Sequence, residues 1–330
     1  LQDIFTIQNQ KQFDKTALKV FRFQYENNLV YRAFCDYLKV NVQEVKTITQ
    51  IPFLPIQFFK SHKIVASNSP VQEIFTSSGT TSTGNSNHFV TDVSLYEQSY
   101  QLAFSQFYGN SNDYAILALL PNYLERKGSS LIYMVNDLIQ QSKNPHSGFY
   151  LNNYKELLAK LIQLKREGQN ILLIGVTYAL LDLAELIQSS ELFSSETLNG
   201  LIIMETGGMK GKRKELIREE LHQILCEAFG VSVIHSEYGM TELLSQAYSL
   251  GNGKFECPNW MNILIRDPED ALTYVENNKT GGINVIDLAN INSCSFIATQ
   301  DLGKKQDNGS FEVLGRFDNS DIRGCNLMVY

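Results

Sequence analysis

Several absences narrow the possibilities for this 330-residue chain. Proline is scarce, at 7 residues, and no stretch reads as a low-complexity linker or an internal repeat. The 5 cysteines stand at 35, 226, 257, 294 and 325, an odd number at wide spacing with no CxxC, which argues against a disulfide framework or a zinc site and for a reducing compartment. There is no basic excess: 28 Lys and Arg against 35 Asp and Glu give a net charge of −7, so nucleic-acid binding as the main task is disfavoured. The longest apolar run, Ile171 to Leu181, is about 11 residues, roughly half of what a membrane helix needs. The N-terminus has no basic segment and no initiator Met, so a few residues are expected to be missing or removed, and a soluble cytoplasmic protein is the expectation.

What is present is ample material for a core. Hydrophobic residues make up 43% of the chain, including 19 Phe and 16 Tyr, and the length suits about two domains. Residues 1–60 read as mostly helical. From there the pattern alternates. Short strands are predicted at Val71–Phe75 and His88–Val90, then Tyr114–Leu120, Ile171–Val176, Leu201–Met204 and Val231–His235. Helices are predicted over 94–108, 129–141, 152–167, 178–190 and 211–229. This rhythm implies an α/β fold of mainly parallel sheets flanked by helices. After about residue 250 Gly, Asn and Asp become frequent, with β-like runs at Met261–Arg266, Ile283–Asp287, Phe296–Ala298 and Phe311–Leu314. The expected division is a 1–250 core, a smaller β-rich subdomain over 251–314, and a short arm over 315–330.

Four segments can carry chemistry. Thr76-Ser77-Ser78-Gly79-Thr80-Thr81-Ser82-Thr83-Gly84 packs seven hydroxyls and two glycines into nine residues after a strand, a loop whose donors can wrap phosphate oxygens. It is not a Walker A loop, because Asn85 stands where that motif has Lys. A solvated surface loop has the same composition. Glu205-Thr206-Gly207-Gly208-Met209-Lys210-Gly211 lies at a strand-to-helix turn, where glycines let a flat ligand approach the backbone. Ser236-Glu237-Tyr238-Gly239-Met240-Thr241-Glu242 offers an aromatic face, a hydroxyl and a hard carboxylate that Mg²⁺ accepts. By spacing it is also an ordinary strand-loop-helix junction capped by Thr241 or Ser236. Asp301, in Thr299-Gln300-Asp301-Leu302-Gly303, and Arg316, in Gly315-Arg316-Phe317-Asp318, can hold sugar hydroxyls or phosphate, or can simply belong to two turns. His62, His146 and His222 show no partner. His235 either orients a carboxylate or is a structural histidine.

In this order the Ser/Thr/Gly loop, Tyr-Gly-Met-Thr-Glu, Thr-x-Asp-x-Gly and Gly-Arg-x-Asp resemble the adenylate-forming superfamily of acyl-CoA synthetases, peptide-synthetase adenylation domains and luciferases. The blocks Leu120-Pro121-Asn122-Tyr123-Leu124-Glu125-Arg126-Lys127-Gly128, His235-Ser236-Glu237-Tyr238-Gly239-Met240-Thr241-Glu242-Leu243 and Arg323-Gly324-Cys325-Asn326-Leu327-Met328 are similar to one branch, the LuxE-type acyl-protein synthetases of bacterial luminescence. The resemblance implies ATP and Mg²⁺ as cofactors. Ser77 to Thr81 would hold the β- and γ-phosphates. Gly207, Gly208 and Tyr238 would line the adenine slot, Asp301 and Arg316 would hold the ribose, and Thr76 and Gly239 would also bind ATP. Thr241 would touch the α-phosphate and Glu242 would bind Mg²⁺. It further implies a fatty acid as substrate, activated as acyl-AMP, passed to Cys325 and then to a partner such as a fatty-acid reductase.

Two departures stand out. The loop lacks the superfamily's Lys after its second Gly, where Asn85, Ser86, Asn87 and His88 stand, so Mg²⁺ or Lys210 and Lys212 would have to compensate. The chain ends at Tyr330, soon after Asp318, where the superfamily continues into a mobile C-terminal domain with a catalytic Lys. A thiol on a short terminal arm, bent at Gly324 and assisted by Arg323, would take over the acceptor role; Cys35, Cys226 and Cys294 read as packed cysteines. The remaining alternatives are an acyl- or aryl-CoA ligase resembling phenylacetate-CoA ligase, and an idle nucleotide-binding scaffold.

Overall fold

The computed structural model describes residues 4–66, 68–77, 84–120, 128–189, 200–207 and 216–317. Two amphipathic helices come first, α1 Gln10–Asn27 and α2 Leu29–Tyr37. Phe13, Ala17, Val20, Phe21 and Gln24 bury one face of α1. The Asn9 side chain caps its start by accepting from Gln12 N–H at 3.0 Å. Strand β1 Leu54–Pro55 and the single turn α3 Phe58–Ser61 follow. Next come the hairpin strands β2 Glu73–Thr76 and β3 Asn87–Val90.

The alternating region is α4 Val93–Tyr108, β4 Ala115–Leu119, α5 Ser130–Ser142, β5 Gly148–Tyr150, α6 Tyr154–Arg166, β6 Ile171–Val176, α7 Thr177–Gln188, β7 Ile202–Thr206 and α8 Arg218–Phe229. It ends in β8 His235–Tyr238, β9 Ala247–Ser249 and β10 Phe255–Glu256. The C-terminal strands are β11 Met261–Arg266, β12 Thr280–Asp287, β13 Phe296–Lys305 and β14 Phe311–Arg316.

The chain forms two compact units, Leu1–Ser69 with Asn259–Tyr330, and Pro70–Pro258. They cut the chain elsewhere than the expected boundary at residue 250, because the N-terminal helices belong with the β-rich segment. The reason lies in two buried polar side chains. Gln24 Nε2 donates to the carbonyls of Asn290 (3.0 Å) and Ile291 (2.8 Å), and its oxygen accepts from Ser295 N–H at 3.0 Å. Asn28 ends α1, caps α2 by accepting from Tyr31 N–H at 3.0 Å, and donates to Ser293 O at 2.9 Å. The rings of Phe21, Tyr31 and Phe296 pack 6.0 to 6.3 Å apart beside them. In this unit β11, β12, β13 and β14 are antiparallel neighbours in that order, and β1 joins β13 in parallel.

In the Pro70–Pro258 unit the strand order is β5-β4-β6-β7-β8, all parallel, followed by antiparallel β9 and β10. Every residue of β4 and β6 is buried, as continuous apolar runs in a sheet covered on both faces should be. Helices α4 and α5 start at side-chain caps: Asp92 accepts from Ser94 N–H and Ser129 from Ile132 N–H. Strand β8 starts at His235, where the Val231–His235 prediction ends. Val231 instead completes the end of α8: Gly230 adopts a left-handed conformation (φ 65°), and Val231 N–H bonds Cys226 O at 3.2 Å. Pairing with β7 begins only at Met204 opposite His235. Among the described residues no helix is long and apolar enough to cross a membrane.

Candidate functional site

The Pro70–Pro258 unit carries three of the four segments. The β2–β3 hairpin brings the two ends of the hydroxyl-rich loop together. Thr76 N–H donates to Gly128 O at 2.7 Å. Ser77 N–H donates to Ser86 O at 3.0 Å, while Ser77 Oγ accepts from Ser86 N–H at 2.8 Å. Ser78, Gly79, Thr80 and Thr81 lie outside the described residues, as do Gly208, Lys210, Lys212 and Cys325.

One residue of the hairpin reaches the Tyr-Gly-Met-Thr-Glu loop. His88, wholly buried, points Nδ1 at the carbonyl oxygen of Thr241 at 2.9 Å. A carbonyl only accepts, so Nδ1 carries the proton and donates it. In the sequence His88 was notable only for standing in the stretch where the superfamily's lysine is missing. The structure gives it a definite job, tying the hairpin to the backbone of the residue expected at the α-phosphate.

The loop itself differs from one expected alternative. No helix follows β8: the chain makes a turn, with Leu243 N–H on Met240 O at 3.1 Å, and returns as antiparallel β9. Thr241 and Ser236 therefore cap nothing. Ser236 lies within β8 and accepts from Arg218 Nη1 at 3.3 Å. Tyr238 is buried, its ring edge-on to Phe255 at 6.0 Å. Glu242 is also buried. A β-carbon on Gly239 would collide with Glu237 Oε1 and come within 3.2 Å of Gln246 Cγ, so a larger residue there requires the Glu237 carboxyl to shift.

Two neighbouring carboxylates on β7 and β8 have opposite electrostatics. Glu205 accepts from Arg218 Nη1 at 3.0 Å, with Thr177 Oγ1 3.2 Å and His222 Nε2 3.8 Å away. Burial pushes its carboxyl up, but the neighbouring His222, the Arg218 charge and the Ser236 hydroxyl outweigh it, leaving it below its ordinary value. His222, which showed no partner in the sequence, thus belongs to an ion cluster. Glu237 faces the other side of the sheet, beside Thr206, whose hydroxyl donates to it at 2.5 Å. Burial pushes it up to about 7 against that hydrogen bond, and the Glu205 charge pushes the same way. Gly207, in a left-handed conformation (φ 69°), offers its carbonyl to Thr177 Oγ1 at 2.5 Å. His235 Nδ1 meets Tyr108 Oη at 3.2 Å, and burial lowers its basicity.

The other unit carries the fourth segment, and the two residues are not in turns. Asp301 lies inside β13 and Arg316 ends β14, directly opposite each other in the ladder. Arg316 Nε donates to Asp301 Oδ1 at 3.2 Å; the carboxylate is largely buried and the arginine largely exposed. The thiols of Cys35 and Cys294 are pushed up to about 12 by burial, and Cys226 is raised by the same cause. None of the three is a ready thiolate.

Mg²⁺ is compatible with these donors. Among the described residues no group of three or more His, Cys, Asp or Glu could hold a metal ion. A single buried carboxylate, Glu242, suits an ion that takes one or two protein oxygens and completes its shell with phosphates and water.

Comparison with known proteins converges on one family. The chain is 25% identical to a long-chain-fatty-acid–luciferin-component ligase of Vibrio harveyi, over 98% of this chain and 89% of that protein. Its fold matches a 2-hydroxyisobutyryl-CoA ligase solved with 2-HIB-AMP and CoA: TM-score 0.68, 12% identity, 94% of this chain and 70% of that one. It also matches ATP-bound MatB from Rhodopseudomonas palustris: TM-score 0.56, 15% identity, 76% of this chain and 49% of that one. The α/β fold is therefore that of adenylate-forming ligases. Residues 5–330 match the family described as acyl-protein synthetase, LuxE, and the chain belongs to that family of ligases.

Proposed function

We propose that this protein activates a fatty acid with ATP and passes the acyl group to a cysteine, Cys325, for delivery to a partner such as a fatty-acid reductase. In the first step a carboxylate oxygen attacks the α-phosphorus, the bond from that phosphorus to the bridging oxygen breaks, and pyrophosphate leaves with the electron pair. In the second a thiolate attacks the acyl carbon, the bond to the adenylate oxygen breaks, and AMP leaves. Catalysis is mainly positioning and charge stabilisation.

The observation that carries the adenylation reading is the hydrogen bond from His88 to Thr241, which makes the phosphate-loop hairpin and the Tyr-Gly-Met-Thr-Glu loop one hydrogen-bonded assembly. In this reading Ser77 to Thr81 take the β- and γ-phosphates, Thr241 the α-phosphate, and Gly207, Gly208 and Tyr238 the adenine, with Thr76 and Gly239 also binding ATP. Asp301 and Arg316 take the ribose. Glu242 would hold Mg²⁺, which would supply charge neutralisation on the phosphates. The Vibrio harveyi relative supports a long-chain acid. The poor thiolate character of Cys35, Cys226 and Cys294 supports an acceptor elsewhere.

The test is intact-protein mass spectrometry after incubation with Mg·ATP and a fatty-acid pool, beside ATP–pyrophosphate exchange. Acid-dependent exchange and an acyl mass removed by hydroxylamine are expected, and Cys325→Ser should abolish the mass but keep the exchange. A label that survives Cys325→Ser removes that cysteine from the mechanism. Product formed only with added CoA would favour a CoA ligase instead.

A further inference from the structure

In the Leu1–Ser69 and Asn259–Tyr330 unit, one buried guanidinium has no part in the reading above. Arg266, the last residue of β11, is 9% exposed. Its Nη1 donates to Ile283 O and to Asn284 Oδ1, both at 2.8 Å, and its Nη2 to Thr299 O at 2.6 Å. The Phe317 ring covers it, with the centroid 5.3 Å from Cζ. Burying such a charge is costly and is retained where its fixed fork of donors holds something in place.

What it holds is an irregular stretch of the sheet. Gly282 pairs with Leu302 and Asn284 with Ala298, so Ile283 alone faces three residues of β13, Thr299 to Asp301. The Ile283 carbonyl accepts from Arg266 and from Thr299 Oγ1, the latter at 2.9 Å. Thr299 Oγ1 in turn accepts from Asp301 N–H at 3.1 Å. Arg266 thus grips both strands of the bulge, and a relay of two hydrogen bonds runs from Ile283 O to the backbone of Asp301. At the far end Phe317 N–H bonds Gln300 O at 2.9 Å, fixing the ring over the guanidinium. Gly282 belongs to the same device: a β-carbon there would lie 2.5 Å from Arg266 Cζ. Bulges re-aim side chains, and a slip of one residue would turn Asp301 to the opposite face of the sheet.

We propose that Arg266 is a positioning residue for the nucleotide ribose: it locks the β12–β13 bulge in the form that sets the Asp301 carboxylate opposite Arg316. This rests on the reading of Asp301 as a ribose ligand. The test compares wild type, Arg266→Met, Arg266→Lys, Asp301→Ala and the Arg266→Met/Asp301→Ala double variant of the full chain in ATP–pyrophosphate exchange. Arg266→Met should raise KM for ATP by about tenfold, the loss expected for a charge-assisted hydrogen bond, and leave KM for the fatty acid within about twofold. Arg266→Lys should behave like Met, since an ammonium cannot bridge two strands as a fork does. In the Asp301→Ala background, adding Arg266→Met should change KM for ATP by less than about twofold, the signature of residues acting as one unit.

A full additional loss in that background, or parallel losses for ATP and acid, would make Arg266 merely structural and overturn the proposal. An unchanged KM for ATP in Asp301→Ala would overturn the ribose reading and the proposal with it. If Arg266→Met does not fold, Thr299→Val, which deletes only the relaying hydroxyl, decides the matter. It should raise KM for ATP about threefold with KM for the acid unchanged, and no ATP-selective effect refutes the relay.

Discussion

Replacing Glu237 by Gln should make the protein more stable, by an amount that grows from about pH 4.5 and is complete above about pH 7. The Glu237 carboxyl is pushed up by burial from 4.5 to about 7, with Tyr96, Tyr108 and Tyr248 around it and Glu205 as its nearest acidic neighbour. Below about pH 4.5 the folded and unfolded chains both carry a proton there, so the site adds no pH dependence. Between that pH and about 7 the unfolded chain has released the proton while the folded chain keeps it, so stability falls as pH rises. Above about pH 7 the folded state holds a desolvated carboxylate and bears the whole cost, about 3 kcal/mol for a group moved that far.

Glutamine keeps an oxygen for Thr206 Oγ1 and cannot ionise. Urea unfolding of the two proteins, followed by circular dichroism from about pH 4.5 to about pH 8, should give near-equal stabilities at the acid end and an advantage for Gln that grows to about 3 kcal/mol. A difference that stays flat across that range, or grows toward acid, would refute the assignment of a protonated Glu237.

Three further outcomes follow from individual contacts. Arg218→Met leaves Glu205 buried without its guanidinium partner, and should lower stability by about 3 kcal/mol or more, read from the urea midpoint. Gln24→Ala strands the partners of a buried amide at Asn290, Ile291 and Ser295, and should cost about 2–4 kcal/mol, with faster proteolysis near residues 290–295. His88→Phe keeps most of the volume but loses the donor to Thr241; ATP–pyrophosphate exchange should fall about ten- to hundredfold while circular dichroism is unchanged.

The parts of the fold that were legible in the sequence are those where a local pattern decides the outcome. The runs that became β4 and β6 are apolar without interruption, and only a strand covered on both faces needs that. Helices α4 to α7 start and stop within two residues of where periodicity places them. Pairings set by single polar side chains distant in sequence were not legible. Gln24 and Asn28 read as ordinary polar positions on a helix, yet their amides attach residues 10–37 to the 290–295 segment. Likewise Val231 and Val233 carry a strand-like pattern, but the helix cap at Gly230 takes the first of them. At the site, motif order pointed to Asp301 and Arg316, whereas the residues behind them, Arg266 and Phe317, look like a strand end and an isolated aromatic until the bulge is seen.

Two glycines show how far motif reading reaches. Glycine beside a nucleotide is usually explained by close approach of the ligand, and Gly239 invites that account. In the folded chain the space of its absent β-carbon is taken by Glu237 Oε1, as that of Gly282 is taken by the Arg266 guanidinium. Glycine at 239 thus leaves room for the Glu237 carboxyl, before any ligand binds. Gly239→Ala should therefore destabilise the free protein, by about 1–3 kcal/mol for an overpacked methyl. Most of that loss should vanish in a Glu237→Ala background, where the obstructing oxygen is gone. Urea midpoints of the two single variants and the double close the cycle. Full additivity would mean that Glu237 is not what the glycine makes room for. A restored midpoint with ATP–pyrophosphate exchange still depressed would separate the two demands on this position, one from the neighbouring carboxyl and one from the nucleotide.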